Sequence, residues 1–152
     1  MSEKNPIRVF VTHAFARHDD YSRVFEYMEA ASNFFYVNVS DPDRAPVTGG
    51  KEALREELRN QIKNAEAVVV LSSLYVENRD WVTYQMDAAK AMDLPIIAVE
   101  PFGGRGTVPD DVKKRAAEIV GWNEREIVDA IRRQARHEDT TRWDVIEFVM
   151  PD

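Results

Sequence analysis

The sequence predicts an α/β fold: a doubly wound, five-stranded parallel sheet with helices on both faces, three layers in all. Three observations carry that expectation. Short runs rich in β-branched residues alternate with stretches of helical periodicity, the order that parallel βαβ units need. One run, AVVVLSS at 67–73, is almost continuously apolar, as a strand buried on both faces must be. A chain of 152 residues with 44% hydrophobic side chains also suffices for one domain with a real core.

IRVFVT (7–12) is the first strand. Asp19 and Asp20 then open a helix whose Tyr21, Val24, Phe25 and Met28 follow the i, i+3, i+4, i+7 stripe. FFYVNV (34–39) is the second strand, and SDPDRAPVTGG (40–50) is a loop rich in Pro, Gly and Asp, long for a strand-to-helix connection. The second helix runs from about 51 to 64 and carries Leu54, Leu58 and Ile62 on one side. After the third strand, AVVVLSS, comes NRDWVTYQMDAAKAMD (78–93), a helix that Asn78 or Asp80 can cap. PIIAVE (95–100) is the fourth strand, PFGGRGTVPDD leads to a short helix around 111–117, and EIVGW (118–122) is the fifth strand. Asn123 caps the last helix, with Glu126 completing a capping-box variant and Trp122 placed to staple to Ile127.

The whole is read as a single domain, 1–152, with a core of about 7–136 and a C-terminal extension, 137–152, in which DVIEFVM is an edge strand or a contact segment. The architecture is flavodoxin-like. Ligands of such sheets bind at the carboxyl ends of the strands near the switch point, where the loops 12–18, 40–50 and 72–78 come together.

Composition removes several functions. There are 27 acidic against 20 basic residues, a net charge of -7, and no segment joins Lys and Arg to aromatics, so nucleic acid is not expected as a partner. The absence of cysteine excludes disulfides and thiolate chemistry and fits a cytoplasmic setting. No apolar run approaches the roughly 18 residues of a membrane span, so no membrane partner is expected.

Specific chemistries can be weighed in turn. His13, His18, Asp19 and Asp20 lie close in sequence but match no ligand spacing, and no metal is expected. GGK at 49–51 falls short of a phosphate loop, because Ala45 stands at the first required glycine and Glu52 at the required Ser or Thr. Backbone amides ahead of the second helix, or Arg105 in FGGRG (102–106), remain open as anion contacts. No serine stands in a nucleophile elbow. A phosphoryl-accepting receiver needs acidic residues after strand one and an aspartate ending strand three, whereas these strands end VTHAF and LSS.

One residue of the helix at 78–93 is out of place. Gln85 falls between Trp81 and Ala89 on the apolar side, one turn past the tryptophan. It is either a buried amide satisfying a neighbouring backbone group, or the polar anchor of a pocket with Trp81 as a flat wall.

These residues resemble the TIR-like domains, in particular the prokaryotic branch that includes the TIR subunit of Thoeris antiphage systems. RVFVTHAF is similar to the family's opening strand. VVVLSSLYVENRDWVTYQMDAAKAMDLPIIAVEPF resembles its third strand, third helix and fourth strand, including the W-V-x-Y-E core of that helix. The resemblance runs over about 7–136 in the order of elements, and 67–102 is its specific part. It implies cleavage of the nicotinamide–ribose bond of NAD, as substrate and not as a bound cofactor, giving an ADP-ribose-derived signal by hydrolysis or cyclisation. In Thoeris-like systems that signal acts on a separate effector protein; a homo-oligomer is also compatible.

Carried over, Trp81 matches the family tryptophan and Gln85 occupies the position of the catalytic glutamate. Breaking the N-glycosidic bond builds positive charge on the ribose, which a carboxylate stabilises and an amide does not; losing such a contact costs about 10²-fold or more in rate. The resemblance therefore implies an impaired enzyme, either an engineered Gln85 variant or a natural domain that has lost turnover, and the intact remainder of the pattern favours the first. Topology adds Thr12, His13, Ala14 and Phe15 after strand one, Arg44 in the second loop, Ser72 and Tyr75 after strand three, and Tyr84 beside Trp81. Two alternatives stay open: a non-catalytic TIR-like module that binds a nucleotide or assembles with other domains, and a nucleoside deoxyribosyltransferase-like enzyme.

Overall fold

The most apolar run lies at the centre of the sheet. In the computed structural model, which describes residues 1–104 and 106–138, every residue of β3 (Ala67–Leu71) is buried. β3 is flanked by β1 (Ile7–Val11) and β4 (Ile96–Val99), and the outer strands are β2 (Tyr36–Asn38) and β5 (Glu118–Val120). All pairs are parallel and the order is β2-β1-β3-β4-β5. The chain reverses direction across the sheet between β1 and β3, as the flavodoxin-like expectation requires.

Helices cover both faces. α1 (Asp19–Ala30) packs with α6 (Glu124–Arg136), while α2 (Gly50–Ile62) packs with α4 (Arg79–Ala91), which also meets α5 (Asp110–Arg115). Val24 and Met28 of α1, Leu58 and Ile62 of α2, and Ile127 and Ile131 of α6 are buried, so the apolar stripes read from sequence do face the sheet.

Local chemistry differs from expectation in several places. The segment 72–78, read as a loop, holds a short helix, α3 (Ser72–Glu77), which packs on α4. The side-chain cap of α1 is His18, whose Nδ1 accepts from the Asp20 amide at 3.1 Å. Asn78 precedes α4 but its side chain makes no capping bond. At α6, Asn123 accepts from the amides of Arg125 and Glu126 as expected, whereas Glu126 accepts from Gly121 N–H at 3.4 Å and not from the cap residue. Trp122 meets the rings of Tyr27 and Phe102 edge-on. Gly49 opens α2 with a left-handed φ of 98°, where a Cβ would stand 2.6 Å from that of Ala53.

Arg105 and the segment DVIEFVM lie outside the described residues. Among the described residues, no helix is long and apolar enough to cross a membrane, and no group of three or more His, Cys, Asp or Glu could hold a metal ion.

Candidate functional site

The carboxyl ends of β1 and β3 place the first candidate residues. Thr12 is fully buried, and its Oγ1 accepts from the Leu71 amide at 3.2 Å, tying the two central strands together where they end. His13 follows, 1% exposed, among the rings of Phe10, Phe15 and Tyr21. Its Nδ1 accepts from the Phe15 amide at 3.2 Å, so the ring proton sits on Nε2, which donates to Gln61 Oε1 at 2.9 Å. Burial holds the His13 imidazole below its ordinary pKa, against the upward pull of the Gln61 bond and of the Asp41 and Glu57 carboxylates. Ala14 and Phe15 are half-buried, and Phe15 takes a left-handed φ of 57°.

Gln85 is 0% exposed. Its Oε1 accepts from the backbone N–H of His13 at 3.0 Å. Its Nε2 donates to the carbonyl of the same residue at 2.8 Å and to that of Trp81 at 2.9 Å. The amide's orientation follows from these partners, since a peptide N–H can only donate and a carbonyl only accept. A carboxylate of the same shape has nothing to donate to two carbonyl oxygens. Of the two readings open in the sequence, the geometry matches the buried amide that satisfies the backbone.

Two neighbours of Gln85 on α4, Trp81 one turn before it on the same side and Tyr84 one step before it, reach the surface. Trp81 and Tyr84 are half-buried and line a surface groove of about 570 Å³ between α4 and α2, together with Lys51, Arg55, Arg79 and Asp87. Its volume lies in the range of about 300–1,000 Å³ usual for small-molecule pockets. Tyr84 Oη donates to the Arg55 carbonyl at 3.2 Å, joining the two walls, and the Phe15 ring meets Trp81 edge-on at 6.4 Å between centroids. Glu77 and Asp80 add negative charge, so the groove carries both signs beside two aromatic surfaces.

The remaining candidates disperse. Tyr75 is buried and does not line the groove; its Oη donates to Asp111 of α5 at 2.7 Å and accepts from Nε of the groove residue Arg79 at 3.1 Å. Ser72 is buried, and among the described residues its Oγ has no partner. Arg44 is exposed in the loop after β2 and lines neither the groove nor a second one, of about 650 Å³, between α1, α3 and the segment after β4.

The pattern Trp81-x-x-x-Gln85 thus sits on α4, the second helix after the third strand. The model of the Thoeris protein ThsB, TIR-like domain, matches residues 10–105, more than half of the chain. This chain belongs to that family. No curated protein matches it. The ThsB-type match runs from the last two residues of β1 through β4 and hence covers every candidate residue from Thr12 to Gln85.

Sequence reasoning missed Gln61 and the groove cations Lys51, Arg55 and Arg79. Gln61 was discoverable by the same test that exposed Gln85, because it follows Leu58 by three residues and precedes Ile62 on the buried side of α2. The cations carried no such mark, since charge on the outer side of a helix is ordinary.

Proposed function

We propose that this ThsB-type TIR-like domain binds NAD or an ADP-ribose derivative in the groove beside Trp81, in an antiphage defence system whose product signal acts on a separate effector. The observation that carries the reading is the composition of that groove: Lys51, Arg55 and Arg79 against Glu77, Asp80 and Asp87, with Trp81 and Tyr84 as flat surfaces. NAD is a ligand of both signs, a cationic nicotinamide and an anionic diphosphate joined through two riboses, with two rings to stack. Mixed charge beside aromatic side chains suits it better than it suits a purely anionic ligand.

Cleavage of the nicotinamide–ribose bond asks for negative charge near C1′ as the leaving group departs. Residue 85 is neutral, buried and turned from the groove, so turnover is impaired in this chain while binding is retained. A specific observation favours the second reading, a natural non-catalytic module that binds nucleotide or assembles: the surroundings of residue 85 are matched to an amide, with two carbonyl oxygens taking both of its protons.

Incubation of the Gln85→Glu protein with NAD, followed by measurement of nicotinamide, separates the two. Release above the parent chain, alone or with a phage trigger, supports the enzyme reading. Binding of NAD by calorimetry without release assigns the domain to the non-catalytic class. Exchange of free nucleosides with NAD ignored assigns it instead to the deoxyribosyltransferase type.

A further inference from the structure

Gln85 has a counterpart on the neighbouring helix. Gln61 of α2 is 4% exposed, and its Oε1 accepts from the Asp41 amide at 2.9 Å while its Nε2 donates to the Asp41 carbonyl at 3.1 Å. Gln85 holds His13 in the same two-point manner. Each glutamine thus grips both peptide groups of one residue in the loop after a strand: His13 after β1, Asp41 after β2. The two grips are joined, because His13 Nε2 donates to the same Gln61 Oε1. Glu57 closes the far end by accepting from Gln61 Nε2 at 2.9 Å, and the Trp81 carbonyl closes the near end.

We propose that Gln85 and Gln61 are positioning residues, a linked pair of amide clamps that sets the two walls of the groove relative to each other. One wall is α4 with Trp81, to which Gln85 fixes the loop carrying His13 and Phe15. The other is the first two turns of α2 with Lys51 and Arg55, reached through the loop that carries Asp41. The importance of the groove rests on the nucleotide reading above; the clamps do not. Each clamp requires an amide, since a carboxylate can only accept and an aliphatic side chain can do neither.

The consequence for residue 85 is specific. A glutamate there faces the carbonyls of His13 and Trp81, so the folded protein retains it in the protonated form that can still donate, and its folded pKa rises above the ordinary value of about 4.3. A group with a raised folded pKa binds more protons folded than unfolded. The Gln85→Glu protein is therefore most stable at low pH and loses stability as pH rises from about 4.3 through the folded value.

The test uses the full chain in three forms: parent, Gln85→Glu and Gln61→Met. Thermal unfolding of Gln85→Glu is expected to show Tm falling between about pH 6.5 and pH 8, above the range in which His13 acts with the opposite sign, a slope the parent lacks. Amide hydrogen exchange of Gln61→Met is expected to accelerate more than about tenfold at Asp41, with β3 and β4 protected as in the parent, and NAD affinity to drop several-fold. A Gln85→Glu protein that follows the parent's pH profile, or an Asp41 amide that exchanges unchanged in Gln61→Met, overturns the proposal. If Gln85→Glu does not fold at any pH, the exchange result decides. Loss of Asp41 protection in a protein whose parent form never binds NAD supports the clamps and removes the nucleotide reading.

Discussion

α4 shows two sides with opposite chemistry. On the inner side Gln85 is enclosed, with both amide protons and its oxygen committed to backbone groups. On the outer side, Trp81 and Tyr84 border an open groove with charges of both signs. Tyr84 is one step and Trp81 one turn from Gln85, so a buried bonding residue and the border of an open groove lie within a single turn of α4. On the nucleotide reading proposed above, recognition falls to the residues around position 85 more than to that position itself.

The sharpest way to break this comparison is to remove the inner side's bonds. Gln85→Leu leaves the His13 N–H and carbonyl buried without partners, each worth about 1–3 kcal/mol, while the Trp81 carbonyl keeps its bond within α4; urea unfolding should show a loss of about 3 kcal/mol. A loss below about 1 kcal/mol, together with weakened NAD binding, would reverse the roles assigned to the two sides.

On the outer side, Trp81→Ala should act mainly on ligand. Aromatic stacking on a base contributes about 1–3 kcal/mol, so calorimetry should find NAD affinity reduced about tenfold, with stability lowered by about 1 kcal/mol through lost packing against Phe15. An unchanged affinity would move recognition away from this groove.

The smallest effect concerns pH. His13 has its folded pKa held below the ordinary 6.5 by burial, with Asp41 and Glu57 as the facing carboxylates and Gln61 as its partner. The unfolded chain therefore binds the proton more readily, and the stability from neutral His13 is present above about pH 6.5 and lost as pH falls toward the folded value. Tm should decline below about pH 6.5 in the parent, and this share of the decline should vanish in His13→Asn. A parent without that decline would mean that the ring is accessible to protons and the clamp loose.

How much of this was legible in the sequence follows physical lines. The strands were legible because burial on two faces leaves continuous apolar runs, and α1, α2 and α6 because a stripe repeats over three turns. α3 was not, since six residues directly after a strand offer too little periodicity to see. Gln85 was visible as an exception within its helix, but its partner His13 is 72 residues away, and only the folded sheet brings the two together. Thr12 and Tyr75, placed near the site by topology alone, turn their hydroxyl groups to the Leu71 amide and to Asp111. Topology fixes where a residue is, not where its side chain points.

The outer strands of the sheet have a consequence for life at high concentration. β2 and β5 are three residues each, against five in β1 and β3. Among the described residues, a rim this short presents few free peptide groups, so a stray strand from another molecule finds little template on which to add. The same sheet that is tightly bonded at its middle is poor in adhesion at its margins, and that contrast protects the domain from edge-to-edge aggregation when many copies are made at once.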